Sequence, residues 1–203
     1  MNHFYKEGSK KSPTIVLLHG TGGTEHDLIP LAKAIDSDAS ILALRGDVIE
    51  DGMARFFKRL RPGVFDEDDL KIRTRAMIDR IERLSKELGF DKDNVYALGY
   101  SNGANIAASV LFHTAETFKG AMLLHPMVPF KNAKLPKLLD KEIFISAGVN
   151  DPICSAQESE MLEGMFKSSQ ADVTLAWFNE GHSIGSKEVD AVKRWYQEIR
   201  KKG

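Results

Sequence analysis

The sequence predicts an α/β protein with a mostly parallel central sheet and helices on both faces. Two observations predict this fold class: short apolar runs alternate with longer segments of helical period, and most runs are continuous, as expected of strands covered on both faces. Strands and helices in alternation imply parallel strands joined by right-handed crossovers. The predicted strands are Thr14–Leu18, Ile41–Leu44, Val95–Gly99, Ala121–Leu124, Ile143–Ala147 and Val173–Trp177.

Three helices are predicted from apolar spacing and from signals at their ends. The first covers Asp68–Leu88; it begins among acidic residues, which suit the positive end of a helix dipole, and it stops at Gly89. The second begins at Ser155, where Glu158 completes the pattern of a capping box, and the third begins near Ser186. Their expected buried faces are Met161, Leu162, Met165 and Phe166 in the second helix and Val189, Val192, Tyr196 and Ile199 in the third.

Length and composition favour one soluble globular domain over residues 1–203. Apolar residues make up 42% of the chain and charged residues 28%, a balance that supports a packed core. The formal net charge of −1 argues against a nucleic-acid binder, which needs a surplus of Lys and Arg. The single cysteine, Cys154, excludes an internal disulfide and Cys-rich metal sites.

The sequence shows no targeting or membrane-spanning pattern. The first residues lack the apolar segment of a signal peptide, and no apolar run approaches the roughly 18 residues that a membrane helix needs. We therefore expect a cytoplasmic protein without stable membrane insertion. The sequence leaves open whether the protein is a monomer or a homodimer.

The strand Val95–Gly99 runs directly into Gly99-Tyr-Ser-Asn-Gly103 and then into a helix rich in small residues. A G-x-S-x-G sequence between a strand and a helix is typical of a nucleophile elbow, a sharp turn that exposes a serine hydroxyl at the carboxyl edge of a sheet. Ser101 is the candidate nucleophile, beside a helix N-terminus that attracts developing negative charge. The motif alone is also compatible with a plain Gly-Ser turn, but its context favours the elbow.

A base and an orienting acid are needed to activate a serine, and candidates for both follow Ser101 in the expected order. Asp151 comes just after the strand Ile143–Ala147, and His182 just after the strand Val173–Trp177. Either residue alone could be an ordinary turn or surface residue. Three suitable residue types in this order, each just past a strand, indicate a catalytic triad.

Other residues of suitable chemistry are less well placed for catalysis. Glu180 shares the short loop of His182, so it cannot support the imidazole from the opposite side. Cys154 lacks an elbow and is expected to be a buried or incidental thiol. His3, His26 and His113 do not follow a predicted strand end, so we expect them to be surface or structural residues.

A second glycine cluster, Gly20-Thr-Gly-Gly23, follows the first predicted strand. It lacks the Lys of a phosphate-binding loop and the spacing of a dinucleotide-binding turn. It fits the second half of an oxyanion hole, where backbone N–H groups must approach the substrate closely. The expected donors are the N–H groups of Thr21 and Asn102, and His19 is expected to brace the loop.

Four motifs occur together along nearly the whole chain: His19-Gly-Thr-Gly-Gly23, Gly99-Tyr-Ser-Asn-Gly103, Asn150-Asp-Pro152 and Gly181-His182. With the stretches Leu44–Asp47 and Met53–Phe57, they resemble the small carboxylesterase/phospholipase branch of the α/β-hydrolase superfamily. That branch includes relatives of acyl-protein thioesterases and bacterial hydrolases linked to hydroquinone resistance. The resemblance implies an α/β-hydrolase fold and ester hydrolysis without a cofactor or a metal. The sequence departs from the branch at Phe56 and Asn102, where Trp and Gln are frequent.

The expected substrate site is an open groove. Larger α/β-hydrolases insert a cap domain after the strand that follows the elbow helix, but here only His125–Glu142 lies at that point, which is too short for a large cap domain. An apolar wall for the substrate is expected, although the same side chains could simply cover the sheet edge. The basic run Arg55–Arg61 is expected to be a solvated face. The residues of the expected wall are Phe56, Phe57, Met127, Val128 and Phe130.

These features predict an enzyme that cleaves a small-molecule carboxylic ester through an acyl-enzyme. Thioesters and lysophospholipids are alternative substrates, because the same machinery attacks them. A hydrolase of aromatic or quinone-derived compounds is a further alternative. A non-catalytic binding protein is disfavoured, since all three candidate triad members are present.

Overall fold

The structure, a computed structural model, describes residues 2–202. The strands are β1 (His3–Lys6), β2 (Thr14–Leu18), β3 (Ser40–Leu44), β4 (Val48–Glu50), β5 (Met53–Arg55), β6 (Arg59–Arg61), β7 (Val64–Phe65), β8 (Val95–Tyr100), β9 (Gly120–Leu124), β10 (Glu142–Gly148) and β11 (Asp172–Phe178). The helices are α1 (Ile29–Ile35), α2 (Glu67–Leu88), α3 (Asn102–His113), α4 (Ala156–Ser168) and α5 (Ser186–Lys202).

The central sheet has seven strands in the order β1-β3-β2-β8-β9-β10-β11. All neighbouring pairs are parallel except the edge pair of β1 and β3. The six predicted strands correspond to β2, β3 and β8 to β11, so the prediction of a mostly parallel sheet is confirmed. From β8 onward, successive strands are also neighbours in the sheet, and their carboxyl ends therefore share one edge.

Four local features are absent from the sequence prediction, one of which is the short hairpin of β6 and β7. The edge strand β1 has only four residues and is polar at both ends. Helix α1 is only seven residues long and has no side-chain cap, so its apolar period is too short to detect. The hairpin of β4 and β5 turns at Asp51 and Gly52, which both have positive φ; an Asp-Gly pair is a recognised signal for such a turn.

The long helices begin and end close to the predicted residues. Asp66 caps α2 by accepting a hydrogen bond from the N–H of Asp69 at 3.0 Å, and Gly89 ends the helix at φ 74°. Ser155 caps α4, but the predicted capping box is incomplete: the Glu158 carboxylate accepts a bond from the N–H of Val128 instead. This carboxylate fastens the loop after β9 to α4.

Two predicted positions on helix faces are wrong. Met161 of α4 is 41% exposed, because the apolar stripe of that helix is narrower than its run of apolar residues. In α5, Val189 is only half-buried, whereas Glu188 is fully buried. A buried carboxylate on this face needs hydrogen-bond partners, and Ser146 and His125 provide them.

Apolar side chains fill both faces of the sheet. Alternate residues of β2 illustrate this arrangement: Val16 and Leu18 pack towards α2, α3 and α4, while Ile15 and Leu17 pack towards α1 and α5. Full burial of one such side chain contributes roughly 1.5–3 kcal/mol to folding. The expected helices on both sheet faces are confirmed.

The connection from β9 to β10 places no regular secondary structure over the carboxyl edge of the sheet. Residues 125–141 form neither a helix nor a strand, which agrees with the absence of a large cap domain from the predicted fold. No helix within residues 2–202 is both long and apolar enough to cross a lipid bilayer.

Candidate active site

Ser101 lies in a sharp turn between β8 and α3. Its φ of 51° and ψ of −112° place a non-glycine residue in a rarely occupied conformation, as expected of a strained functional turn. A Cβ on Gly103 would lie 1.9 Å from the carbonyl oxygen of Leu18, and one on Gly99 would lie 2.7 Å from the backbone of Ala104. The two glycines therefore allow α3 to start against the sheet, and the turn has the geometry of a nucleophile elbow.

The three candidate catalytic side chains meet at the carboxyl edge of the sheet. His182 Nε2 lies 2.9 Å from Ser101 Oγ, and His182 Nδ1 lies 2.6 Å from Asp151 Oδ2. The Asp151 carboxylate is fully buried, whereas the His182 side chain is 13% exposed. This chain of hydrogen bonds can move the Ser101 proton to an imidazole whose other nitrogen is held by a carboxylate.

Backbone donors keep the Asp151 carboxylate ionised. Its Oδ1 accepts hydrogen bonds from the N–H groups of Ile153 at 2.8 Å and Cys154 at 3.0 Å. Burial opposes the charge, but these two bonds and the bond to His182 outweigh it and lower the pKa of Asp151. The acid therefore remains an acceptor for the imidazole N–H.

Two further contacts fix the loop that carries His182. A Cβ on Gly148, at the end of β10, would lie 2.0 Å from the carbonyl oxygen of Gly181, so the two loops approach closely only because residue 148 is glycine. The Tyr100 hydroxyl donates a short hydrogen bond to the carbonyl oxygen of His182. Burial, with the nearby charges of Asp151 and Glu188, raises the pKa of Tyr100 and keeps this donor protonated.

The glycine loop, residues 19–23, lies beside Ser101, as its sequence predicts. His19 is 1% exposed; its Nδ1–H donates to the carbonyl oxygen of Gly20 at 2.6 Å, and its Nε2 accepts from the N–H of Gly46 at 3.0 Å. This pairing requires a neutral ring, and burial lowers the pKa of His19. The Gly22 N–H donates to the carbonyl oxygen of Ala54 and so belongs to the scaffold.

Thr21 and Asn102 line the same cavity as Ser101. Asn102 is the first residue of α3, where helical N–H groups have no partner inside the helix. Its side-chain oxygen accepts a bond from the N–H of Phe56 at 2.8 Å, and the Thr21 hydroxyl accepts one from Arg55 Nη1 at 2.7 Å. These side-chain bonds fix both residues in place.

The cavity in front of Ser101 has a volume of about 370 Å³. Of the five residues expected to form an apolar wall, only Met127 lines it. Phe56, Phe57, Val128 and Phe130 are 0–6% exposed and pack in the core below the site, so their assignment to the wall needs correction. Phe56 is held by the bond from its N–H to Asn102 at the start of α3, and Val128 by the bond from its N–H to Glu158 of α4. Met53, Phe65 and Ile153 provide apolar wall in their place.

The basic run is not a solvated face throughout. Arg55 is 4% exposed, and both Arg55 and Arg59 line the cavity. Glu50 pairs with each of them, at 3.5 Å from Arg55 Nε and in a short contact with Arg59. Two guanidinium groups share one carboxylate, so this part of the wall has an excess of one positive charge.

Sequence reasoning missed two buried residues behind Asp151. His125 follows β9 directly, and its Nδ1 lies 3.1 Å from Asp151 Oδ2 while its Nε2 lies 3.3 Å from Glu188 Oε2. The position of His125 just after a strand end was an available signal. Glu188 lies in the first turn of α5, among charged and polar residues, and no sequence signal there indicates a buried carboxylate.

His125, Asp151 and His182 form the group of His and acidic side chains within residues 2–202 that is compact enough to be considered for a metal ion. His182 Nδ1 and Asp151 Oδ2 are 2.6 Å apart, closer than the roughly 3.3 Å expected between two ligands placed about 2.0–2.1 Å from a tetrahedral zinc. Both imidazoles direct Nδ1 at the same carboxylate oxygen. These residues fit a hydrogen-bonded network and do not fit a metal site.

A larger hollow of about 570 Å³ lies between residues 133–137 and α4. Its described lining contains lysines and serines but no histidine or acid. It has no pairing of a nucleophile with an imidazole and a carboxylate, so the smaller cavity at Ser101 is the candidate active site.

The fold and this geometry define a hydrolase of the α/β-hydrolase class, and the comparisons with known proteins agree. The model of the dienelactone hydrolase family matches residues 3–199. The chain belongs to the dienelactone hydrolase family.

Three similar proteins illustrate the range of the relatives. The chain is 50% identical to the Bacillus cereus carboxylesterase, with a TM-score of 0.97 over 98% of this chain and 94% of that chain. It is 47% identical to the hydrolase MhqD of Bacillus subtilis (strain 168), over 98% of both chains. It is 24% identical to acyl-protein thioesterase 1 of Cryptococcus neoformans, over 69% of this chain and 66% of that protein. The resemblance inferred from the motifs is confirmed, and the protein is a hydrolase of the carboxylesterase type.

Proposed function

We propose that the protein hydrolyses carboxylic esters through an acyl-enzyme formed on Ser101. One observation carries this proposal: an unbroken chain of hydrogen bonds runs from Asp151 through His182 to Ser101, with distances of 2.6 and 2.9 Å. The chain ends in a cavity that can hold a small substrate. The similarity to a carboxylesterase at 50% identity supports the reaction class.

The reaction divides into acylation and deacylation. In acylation, His182 Nε2 removes the Ser101 proton while Oγ attacks the ester carbonyl carbon, and the imidazolium then protonates the departing alcohol. In deacylation, His182 activates a water molecule that attacks the acyl-enzyme and restores the Ser101 hydroxyl. Asp151 holds Nδ1 protonated throughout, so that Nε2 faces the serine.

The N–H groups of Thr21 and Asn102 are the proposed donors to the oxyanion of each tetrahedral intermediate. The first position of α3 and the glycine loop both adjoin Ser101, and neither needs to move when charge develops. Loss of one donor of this kind costs roughly 2.7–4 kcal/mol of barrier. Arg55 supports the Thr21 side of the pair through its bond to the threonine hydroxyl.

A lactone or a thioester is the second candidate substrate class. The family name favours a lactone and the thioesterase relative favours a thioester. Ser101 would attack the acyl carbon in both compounds, and only the leaving group differs from that of a simple ester. A panel of p-nitrophenyl esters, lactones, acyl thioesters and lysophospholipids, compared by kcat/KM, ranks these classes directly.

The arginine side of the cavity favours a substrate with a negatively charged end. A p-nitrophenyl hemisuccinate and a p-nitrophenyl butyrate have similar length and differ in this charge. Arg59→Met should lower kcat/KM for the hemisuccinate about five- to tenfold, as expected for one partly screened charge, and leave the butyrate nearly unchanged. Arg83→Met, which removes an exposed charge on α2, is the control; an equal loss for both esters would contradict this preference.

Substitution of the proposed nucleophile tests the function itself. Ser101→Ala should retain the fold and lower esterase activity by about 10⁴-fold or more, and a fluorophosphonate probe should label Ser101 in the unaltered protein. Ser183→Ala, at an exposed serine in the loop of His182, should retain activity and labelling. Labelling of another residue, or activity that survives Ser101→Ala, would overturn the proposal.

A further inference from the structure

A buried group of polar side chains surrounds Asp151 and lies beside the ring of His182. We call Ser146, Asp151, His125 and Glu188 the acid cluster. His125 is 1% exposed and Glu188 is 0% exposed. The imidazole of His125 lies between the two carboxylates, and the reaction steps above give it no role.

The hydrogen bonds of the acid cluster fix the charge of His125. Glu188 Oε1 accepts a bond from the Ser146 hydroxyl at 2.5 Å, and Asp151 Oδ1 accepts two backbone bonds, so both carboxylates are acceptors. Each ring nitrogen of His125 faces an oxygen of one of them. A neutral imidazole would point a lone pair at a carboxylate on one side, whereas an imidazolium donates to both.

Besides His182, two titratable side chains lie near His125, and neither adds a charge. The Tyr100 ring lies 6.0 Å from the His125 ring, and burial raises the pKa of Tyr100. The Cys154 thiol donates to the carbonyl oxygen of Pro126 and contacts the Ser159 hydroxyl, and burial raises its pKa to about 11. For His125 itself, burial opposes the charge, but the hydrogen bonds and charges of Glu188 and Asp151 outweigh burial and raise its pKa.

We infer that His125 is a positioning residue for the catalytic acid: it is held as an imidazolium between Asp151 and Glu188, fixes the Asp151 carboxylate and opposes a second positive charge on His182. This inference rests on the proposed function, because it assigns Asp151 and His182 their catalytic roles. The two imidazoles share Asp151 Oδ2, so His125 helps to fix the oxygen that orients His182.

The sign of the effect follows from the position of the charge. The ring centres of His125 and His182 are 5.3 Å apart, whereas Glu188 contacts His125 at Nε2, the nitrogen that does not face Asp151. The nearer cation therefore opposes a second positive charge on His182, and it also withdraws electron density from Asp151. Loss of this charge should therefore move the acid limb of the activity profile to higher pH.

His125→Asn is the first test. Asparagine keeps a donor near the Nδ1 position and tolerates the φ of 52° at residue 125, but it carries no charge. We expect the acid limb of the kcat/KM profile for p-nitrophenyl acetate to move to higher pH by about one unit. Thr74→Val breaks a buried 2.6 Å contact with Ser109 away from the site; it should lower the melting temperature and leave the limb unmoved.

The charge of His125 can also be measured in the unaltered protein, without any substitution. In the unaltered protein at pH 7.5, ¹⁵N spectra of the histidine side chains should show both His125 nitrogens protonated, whereas a neutral tautomer would overturn the inference. This measurement decides the question even where His125→Asn does not fold. An unmoved acid limb in a folded His125→Asn protein would overturn it as well.

Failure of this inference is distinguishable from failure of the proposed function. If Ser101→Ala retains activity, the triad assignment itself fails. If Ser101→Ala is inactive and the acid limb of His125→Asn coincides with that of the unaltered protein, the triad stands and His125 is only a structural residue.

Discussion

Two buried histidines, His19 and His125, show how the same residue type serves two opposite purposes in one fold. Each follows a parallel strand of the central sheet and is 1% exposed. His19 lies between a backbone donor and a backbone acceptor, so its ring is neutral and braces the glycine loop. His125 lies between two carboxylates. The comparison teaches that the partners, more than the depth of burial, decide the charge of a buried imidazole.

The largest expected effect comes from removing the carboxylate that joins the acid cluster to the triad. Asp151→Asn should lower kcat by about 10⁴-fold, because an amide cannot hold His182 in the tautomer that accepts the serine proton. Steady-state kinetics with p-nitrophenyl acetate measures it. Asp36→Asn removes a carboxylate that bonds Tyr196 and two backbone N–H groups elsewhere and should change kcat less than twofold; a similar kcat for both variants would contradict the role of Asp151.

A smaller effect is expected from substitution of His19. His19→Asn keeps a donor near Nδ1, as His125→Asn does, but loses the acceptor for the N–H of Gly46 and part of the packing against Phe56, whose ring centre lies 4.7 Å from that of His19. We expect kcat to fall about tenfold, a fraction of the 10²–10³ that loss of a whole oxyanion donor causes. The acid limb should stay in place, since the ring carries no charge. A moved limb would show that His19 titrates with the reaction.

The sequence was sufficient to predict features that depend only on neighbouring residues. A continuous apolar run followed by a turn residue predicted the strands, and the residues just past three strand ends led to Ser101, Asp151 and His182. The same rule applies to His125, which comes directly after β9, so this residue could have been found. Glu188 could not, because its partners Ser146 and His125 lie 42 and 63 residues away along the chain.

The cavity wall was the part that sequence reasoning assigned incorrectly. Along the 53–65 segment, apolar and basic residues alternate, and nothing local decides which of them face the cavity. The choice is made by a contact between residues 46 positions apart, the bond from the Phe56 N–H to Asn102 Oδ1, which turns Phe56 into the core. Arg55 then faces Thr21, and a wall expected to be apolar carries guanidinium groups.

The smallest expected effect concerns stability against pH, and it should have opposite signs for the two histidines. The pKa of His19 is lowered from 6.5, so its stabilisation is complete above pH 6.5 and is lost as pH falls towards the folded pKa. The pKa of His125 is raised from 6.5, so its stabilisation is complete below pH 6.5 and is lost as pH rises through the folded pKa.

Urea unfolding between pH 5 and 9 measures both slopes. The difference in unfolding free energy between the unaltered protein and His19→Asn should grow with rising pH near 6.5, whereas the difference from His125→Asn should shrink at high pH. Slopes of the same sign for both variants would contradict the opposite charges of the two rings.

The most direct test of the account is to trap the covalent intermediate. The protein is mixed with p-nitrophenyl acetate, quenched in acid within the first turnover and digested for mass spectrometry. We predict one acetyl group on the peptide that contains Ser101, absent from Ser101→Ala treated in the same way. An acetyl group on another residue, or rapid turnover with no acylated peptide at any quench time, would contradict a mechanism that proceeds through Ser101.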